Sequence, residues 1–178
     1  MEHFRPLSYR DWLFRIASKG LICEFIPMLH IVLIEPEIPP NTGNIARLCL
    51  AAGARLHLVG ELGFSLDEKS LKRAGMDYWH LCDIHRWANL QDLQEAHRAS
   101  RFFYFSTKAD KAYWNETFAD GDFFVFGRES RGLPESLLRA NPDHVLKIPM
   151  NPEARSLNLA TSVGIALYEG ARQIKMPL

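Results

Sequence analysis

Apolar residues follow two rhythms along this chain: short continuous runs, and longer stretches with helical spacing. Leu29–Glu35 (LHIVLIE) is a short run rich in β-branched residues and stopped by proline, which predicts a buried strand. In 41–53 (NTGNIARLCLAAG), Ile45, Leu48, Cys49 and Ala52 recur at i, i+3, i+4 and i+7, which predicts a helix capped by Gly53. Further strands are expected at Arg55–Gly60, weakly at Leu81–Ile84, at the aromatic runs Arg101–Thr107 and Asp122–Gly127, and at Val145–Ile148. Helices are expected at Asp67–Ala74, at Trp87–Ala99, at Pro134–Ala140 with proline in the first turn, and at Ser156–Ile174 with Ser156 as N-cap. Such alternation predicts an α/β fold, a mainly parallel sheet with helices on both faces. Repeats, low-complexity segments and linkers are absent after residue 28.

Residues 1–27 stand apart. They carry four basic and three acidic residues, and no clean apolar core of a signal peptide. Pro27 and Met28 precede the first strand directly. We therefore expect an N-terminal extension over 1–27, with a short amphipathic helix at Tyr9–Ile16, and one domain over 28–178.

Composition narrows the class. The chain has 178 residues, 47% of them hydrophobic, enough for a core and too many for intrinsic disorder. No run of about 18 uncharged apolar residues exists to cross a membrane. Cys23, Cys49 and Cys82 are an odd, scattered set, as in reduced cytoplasmic proteins. His30, His57, His80 and His85 lack metal-ligand spacing and are expected to be structural or solvent-facing, so no metal is implied. Lysine plus arginine equals aspartate plus glutamate at 21 each, which argues against an indiscriminate nucleic-acid coat.

Ligands of open α/β sheets bind beyond the strands' carboxyl ends, so the loops there carry the chemistry. The loop after the first strand, Pro36 to Asn44, has three prolines and one glycine where a dinucleotide fold needs GxGxxG, and there is no phosphate-binding P-loop signature. Glycines gather later, in Phe126-Gly127-Arg128-Glu129-Ser130-Arg131-Gly132-Leu133. The loops Ile148-Pro149-Met150-Asn151-Pro152 and Arg155-Ser156-Leu157-Asn158-Leu159 follow. Three bent, polar loops after strands point to one site in the C-terminal half, with ordinary turns and caps as the alternative reading.

These segments resemble three motifs of the SPOUT superfamily of RNA methyltransferases. Asn41 to Arg47 is similar to N-x-G-N-x-x-R, Phe126 to Leu133 to F-G-x-E-x-x-G-L, and Arg155 to Leu159 to the third motif. The likeness covers about 151 residues from Met28, and the short length with the opening Ile34 to Asn44 resembles the small subfamily that methylates the 2′-hydroxyl of tRNA nucleotide 34, cytidine or a modified uridine, in leucine tRNAs.

The resemblance implies a deep C-terminal trefoil knot holding S-adenosylmethionine. Phe105, Gly127, Ile148, Ser156, Leu157 and Asn158 would line that pocket. It implies a homodimer through the first and last helices. The last helix fits that, because Ser162, Gly164 and Ala166 are small enough for close helix approach; the alternative is that this helix simply packs on its own sheet. The partner implied is the anticodon stem-loop of tRNA. Arg47 is the family's catalytic arginine, with Asn44 shaping its loop. A guanidinium scarcely deprotonates, so Arg47 is read as a cation that stabilises a developing alkoxide and grips a phosphate, rather than as a base. The alternative is a surface arginine in a salt bridge. Glu129 is expected to order its loop or accept from Arg131. One departure is Ala160 and Thr161 where the family usually has serine and asparagine. Competing functions are a tRNA-binding module without activity, and a ribosomal-RNA 2′-O-methyltransferase, which would ordinarily carry an extra RNA-binding domain. Arg47, Arg128, Arg131 and Arg155 fall in the motif loops, so local basic charge can coexist with overall neutrality.

Overall fold

The computed structural model describes residues 27–65 and 78–176. The expected helices at Asp67–Ala74 and Tyr9–Ile16, and Cys23, lie outside them. Among the described residues seven parallel strands form the sheet: β1 (His30–Ile34), β2 (Arg55–Val59), β3 (Ile84–Trp87), β4 (Phe102–Phe105), β5 (Lys111–Ala112), β6 (Phe123–Phe126) and β7 (Val145–Lys147), in the order β3-β2-β1-β6-β4-β7-β5. The central strands β1, β4 and β6 are apolar on both sides because both sides are covered.

On one face lie α1 (Pro39–Ala52) and α4 (Leu159–Ile174), over Leu29, Ile31, Leu33, Leu56, Phe103, Phe124 and their neighbours. On the other lie the shorter α2 (Leu90–Ala96) and α3 (Glu135–Ala140). They press Leu93, Leu137 and Leu138 onto Val32, Phe123 and Val125. Helices on both faces agree with the sequence pattern. α4 turns Val163, Ala166, Leu167, Gly170 and Ala171 inward, and Gly170 lies so close to the sheet that an added Cβ would come within 2.7 Å of Leu29 Cδ1.

Several element ends differ from expectation, each for a local reason. α1 starts at Pro39, since two prolines suit a first turn that needs no N–H donors, and it ends on Gly53 at φ 67°. Residues Trp79–Leu81 form a 3₁₀ turn, so the strand expected at Leu81–Ile84 begins only at Ile84 and takes in Trp87, where the sequence pattern places the start of the following helix. α2 is shorter than Trp87–Ala99 because Asn89 caps it, accepting from Asp92 N at 2.8 Å. Pro134 occupies the N-cap of α3 rather than its first turn. α4 starts at Leu159, three residues late: the cap is Asn158, whose Oδ1 accepts from Ala160 N at 2.9 Å and Thr161 N at 3.3 Å, and not Ser156. Edge strand β5 had no apolar pattern to reveal it.

Candidate functional site

The loops after β4, β6 and β7 meet in one cavity of about 490 Å3 at the carboxyl edge of the sheet. All six residues that the resemblance assigns to the cofactor, Phe105, Gly127, Ile148, Ser156, Leu157 and Asn158, line it. Phe105 ends β4 and stacks on Phe126 at 4.7 Å between centroids, forming an aromatic floor. Gly127 allows a backbone crossing that no other residue permits. A Cβ there would lie 2.2 Å from the carbonyl carbon of Gly132. That crossing closes the loop on itself, with Gly132 N donating to Arg128 O at 2.8 Å.

The cavity wall is tied to α1 by a chain of side chains. Glu129 accepts from Glu37 N at 2.8 Å, Ile38 N at 3.3 Å and Asn41 Nδ2 at 3.1 Å. Asn41 Oδ1 in turn accepts from Asn158 Nδ2 at 2.9 Å. One relay therefore links all three motifs, ending in the cap of α4. Of the two roles open to Glu129, the structure shows loop ordering. Asn41, 7% exposed, is the link left without a role in the sequence reading, although it opens the first motif.

Two further clasps hold the same loops. Ser130 donates to Glu37 through N and Oγ, both at 2.9 Å, which keeps the Glu37 carboxyl below its ordinary pKa. Arg128 donates Nε to Glu35 at 2.6 Å and pairs with it through Nη2. Glu35 has a φ of 49°, a left-handed turn that a non-glycine residue resists, and the ion pair helps hold it. Arg128 is thus engaged within the fold and drops out of the expected basic patch, while Arg47, Arg131 and Arg155 remain exposed.

Asn44 and Arg47 are not on the cavity wall. Both are exposed on α1, with Arg47 six residues beyond Asn41, roughly 9 Å along the helix axis. Among the described residues no carboxylate pairs with Arg47. Its guanidinium lies over the Tyr78 ring, 4.6 Å from the centroid.

The histidines form a separate, structural cluster. His57 is fully buried and His30 is 8% exposed. The Trp87 indole can only donate, and it donates to His57 Nδ1 at 3.0 Å, so His57 carries its proton on Nε2 and donates to His30 Nδ1 at 2.9 Å. Burial, then the charges of Arg55 and His97, bring His30 down to about 3; burial, then neighbouring histidines, brings His57 to about 2. Both are neutral core residues. His80 and His85 are exposed. Among the described residues no group of three or more metal-ligating side chains occurs, and no helix is long and apolar enough to cross a membrane. Cys49 is buried and Cys82 half-buried, both as free thiols.

Fold and site together define an α/β protein with a small-molecule cavity set among three motifs similar to those of SPOUT RNA methyltransferases. The chain belongs to the SpoU rRNA methylase family, whose profile matches residues 28–168. It is 49% identical over 148 residues to the tRNA (cytidine(34)-2′-O)-methyltransferase of Aeromonas hydrophila, covering 83% of this chain and 95% of that one. A solved structure described as giving insight into the 2-OH methylation of C/U34 on tRNA is 48% identical, with a TM-score of 0.77, over 83% of this chain and 96% of the other. The SpoU methyltransferase AviRb of Streptomyces viridochromogenes, solved with AdoMet, is 28% identical with a TM-score of 0.70, over 83% of this chain and 61% of its own length.

Proposed function

We propose that this chain transfers a methyl group from S-adenosylmethionine to the ribose 2′-hydroxyl of nucleotide 34 in the anticodon loop of tRNA. The observation that carries this reading is the gathering of all three motifs around one cavity, by residues up to 117 apart in sequence. The near half-identity to enzymes of that activity supports the substrate.

The cavity fits the cofactor. Its volume lies within the range of small-molecule sites, and it offers an aromatic floor at Phe105, an aliphatic wall at Ile148 and Leu157, and polar groups at Ser156 and Asn158. These residues and Gly127 would hold it. The cofactor supplies an electrophilic methyl carbon on a sulfonium. The protein's task is then to orient the ribose and favour loss of the hydroxyl proton. Arg47, outside the cavity wall and uncompensated by a carboxylate among the described residues, suits a grip on the RNA phosphate and stabilisation of the developing alkoxide. Asn44 shares its exposed helix face.

The finer reading includes a trefoil knot formed by the C-terminal loops and a homodimer through α1 and α4. The exposed Leu50 and Tyr168 are the large apolar groups those helices leave uncovered. It also includes action in the cytoplasm without a metal, and 1–27 as an extension the reaction does not need. Incubation with labelled cofactor, bulk tRNA and ribosomal RNA, followed by mapping of the product, tests the activity. Label on the 2′-oxygen of nucleotide 34 is expected. Tight cofactor binding without transfer would favour the inactive binding module, and label in ribosomal RNA alone would favour the third reading. Arg47→Ala should abolish transfer and leave cofactor affinity nearly unchanged.

A further inference from the structure

Tyr78 makes two contacts with the first motif at once. Its ring lies beneath the Arg47 guanidinium, 4.6 Å from Cζ to centroid, and its hydroxyl donates to Gly43 O at 2.9 Å. Gly43 O is also the carbonyl that receives the Arg47 backbone N–H in the α1 ladder. One tyrosine therefore braces both ends of Arg47, the turn it springs from and the charged tip. Tyr78 is itself anchored. It packs against the main core, and the Cys82 thiol lies 3.5 Å from both Tyr78 O and Ala46 O, tying the tyrosine backbone to α1.

An unbraced arginine on an exposed helix face samples many rotamers, and ordering it costs side-chain entropy. A carboxylate partner would order it too, but would neutralise its charge and compete with phosphate. A tyrosine face orders the guanidinium through its π-electrons and leaves the N–H donors free.

We infer that Tyr78 is a positioning residue that holds Arg47 ready for the RNA. This rests on the proposed reading of the chain as a ribose methyltransferase. The test has two arms, both on the full chain. In the first, the heteronuclear NOE of the Arg47 Nε–Hε group is measured without RNA or cofactor. It should match ordered backbone in the wild type and in Tyr78→Phe, and fall to the value of a mobile side chain in Tyr78→Leu. A mobile Arg47 in the wild type, or an ordered one in Tyr78→Leu, overturns the inference.

In the second, methyl transfer to tRNA is followed under saturating cofactor. Tyr78→Leu should lower kcat/KM for tRNA about tenfold, the scale of one partly desolvated cation–π contact, with cofactor affinity unchanged. Tyr78→Phe keeps the ring under Arg47 and should lose only about twofold, the weak end of one neutral hydrogen bond. A loss that Phe shares in full, or that follows the melting temperature across both variants, would mean a structural role alone. Absence of transfer by the wild type would overturn the proposed function, while the NOE arm still decides the placement of Arg47.

Discussion

Gly127 is the residue on which the cavity turns. Its Cα hydrogens face a crossing strand of backbone at Gly132 and Leu133, not a side chain that could swing aside. Gly127→Ala should therefore cost at least about 3 kcal/mol, at the upper end of overpacking penalties, and cofactor affinity should fall with it. Urea unfolding and calorimetric titration check this, and an alanine variant as stable as wild type would contradict the geometry. The glycine-rich motif was legible in the sequence because glycine leaves so few uses open. The same segment's arginines were not. Nothing local distinguishes Arg128, paired with Glu35 some 93 residues away, from Arg131, which is exposed. Partners that distant are set by topology alone, and the same holds for Tyr78 under Arg47.

At the level of elements, α4 shows how a cap can serve two ends. Asn158 offers Oδ1 to the first turn of the helix and Nδ2 to Asn41. Asn158→Ala should lose about 1 kcal/mol of stability and loosen the relay to Glu129. Asn158→Asp keeps the cap acceptor and lacks the donor, so its stability should stay near wild type while cofactor affinity drops. A melting curve and a binding isotherm for each variant separate the two roles. The sequence offered Ser156 as the cap because serine and asparagine are equally good there, and only the course of the loop chooses between them.

The buried strands β1 and β2 make a second element-scale prediction. His30 and His57 are neutral when folded but protonate near 6.5 in the unfolded chain. Their contribution is therefore complete above that pH and is lost as pH falls from about 6.5 towards 3. Between pH 7 and 5 the loss should approach about 4 kcal/mol for the pair. Carboxylates change little in that window. Equal urea midpoints at pH 7 and 5 would refute the assignment, and replacing both histidines with glutamine should flatten the dependence.

For the whole molecule, the alternation of runs and periodic stretches was enough to give the α/β class and most strands. It could not give the sheet order, because β1 pairs with β6 and β4 with β7 for reasons spread over the entire chain. Equal numbers of positive and negative residues leave no general attraction for RNA. The exposed Arg47, Arg131 and Arg155 should still make tRNA binding fall steeply with salt, with a log–log slope of about −2 if each neutralises one phosphate. A slope near zero would show that these arginines do not meet the backbone. Removal of residues 1–27 should leave methyl transfer unchanged.

The pairing of β1 with β6 also bears on how the chain is made. His30 meets Phe123 across the centre of the sheet. At translation rates of about 5–20 residues per second, the ribosome delivers that partner some 5–19 seconds after the first strand. Through that interval one edge of an apolar strand stays open, and open strand edges are templates for the wrong neighbour. The nascent chain should therefore be a client of ribosome-associated chaperones for about as long as β6 remains unsynthesised, and its yield should depend on them more than its final stability suggests.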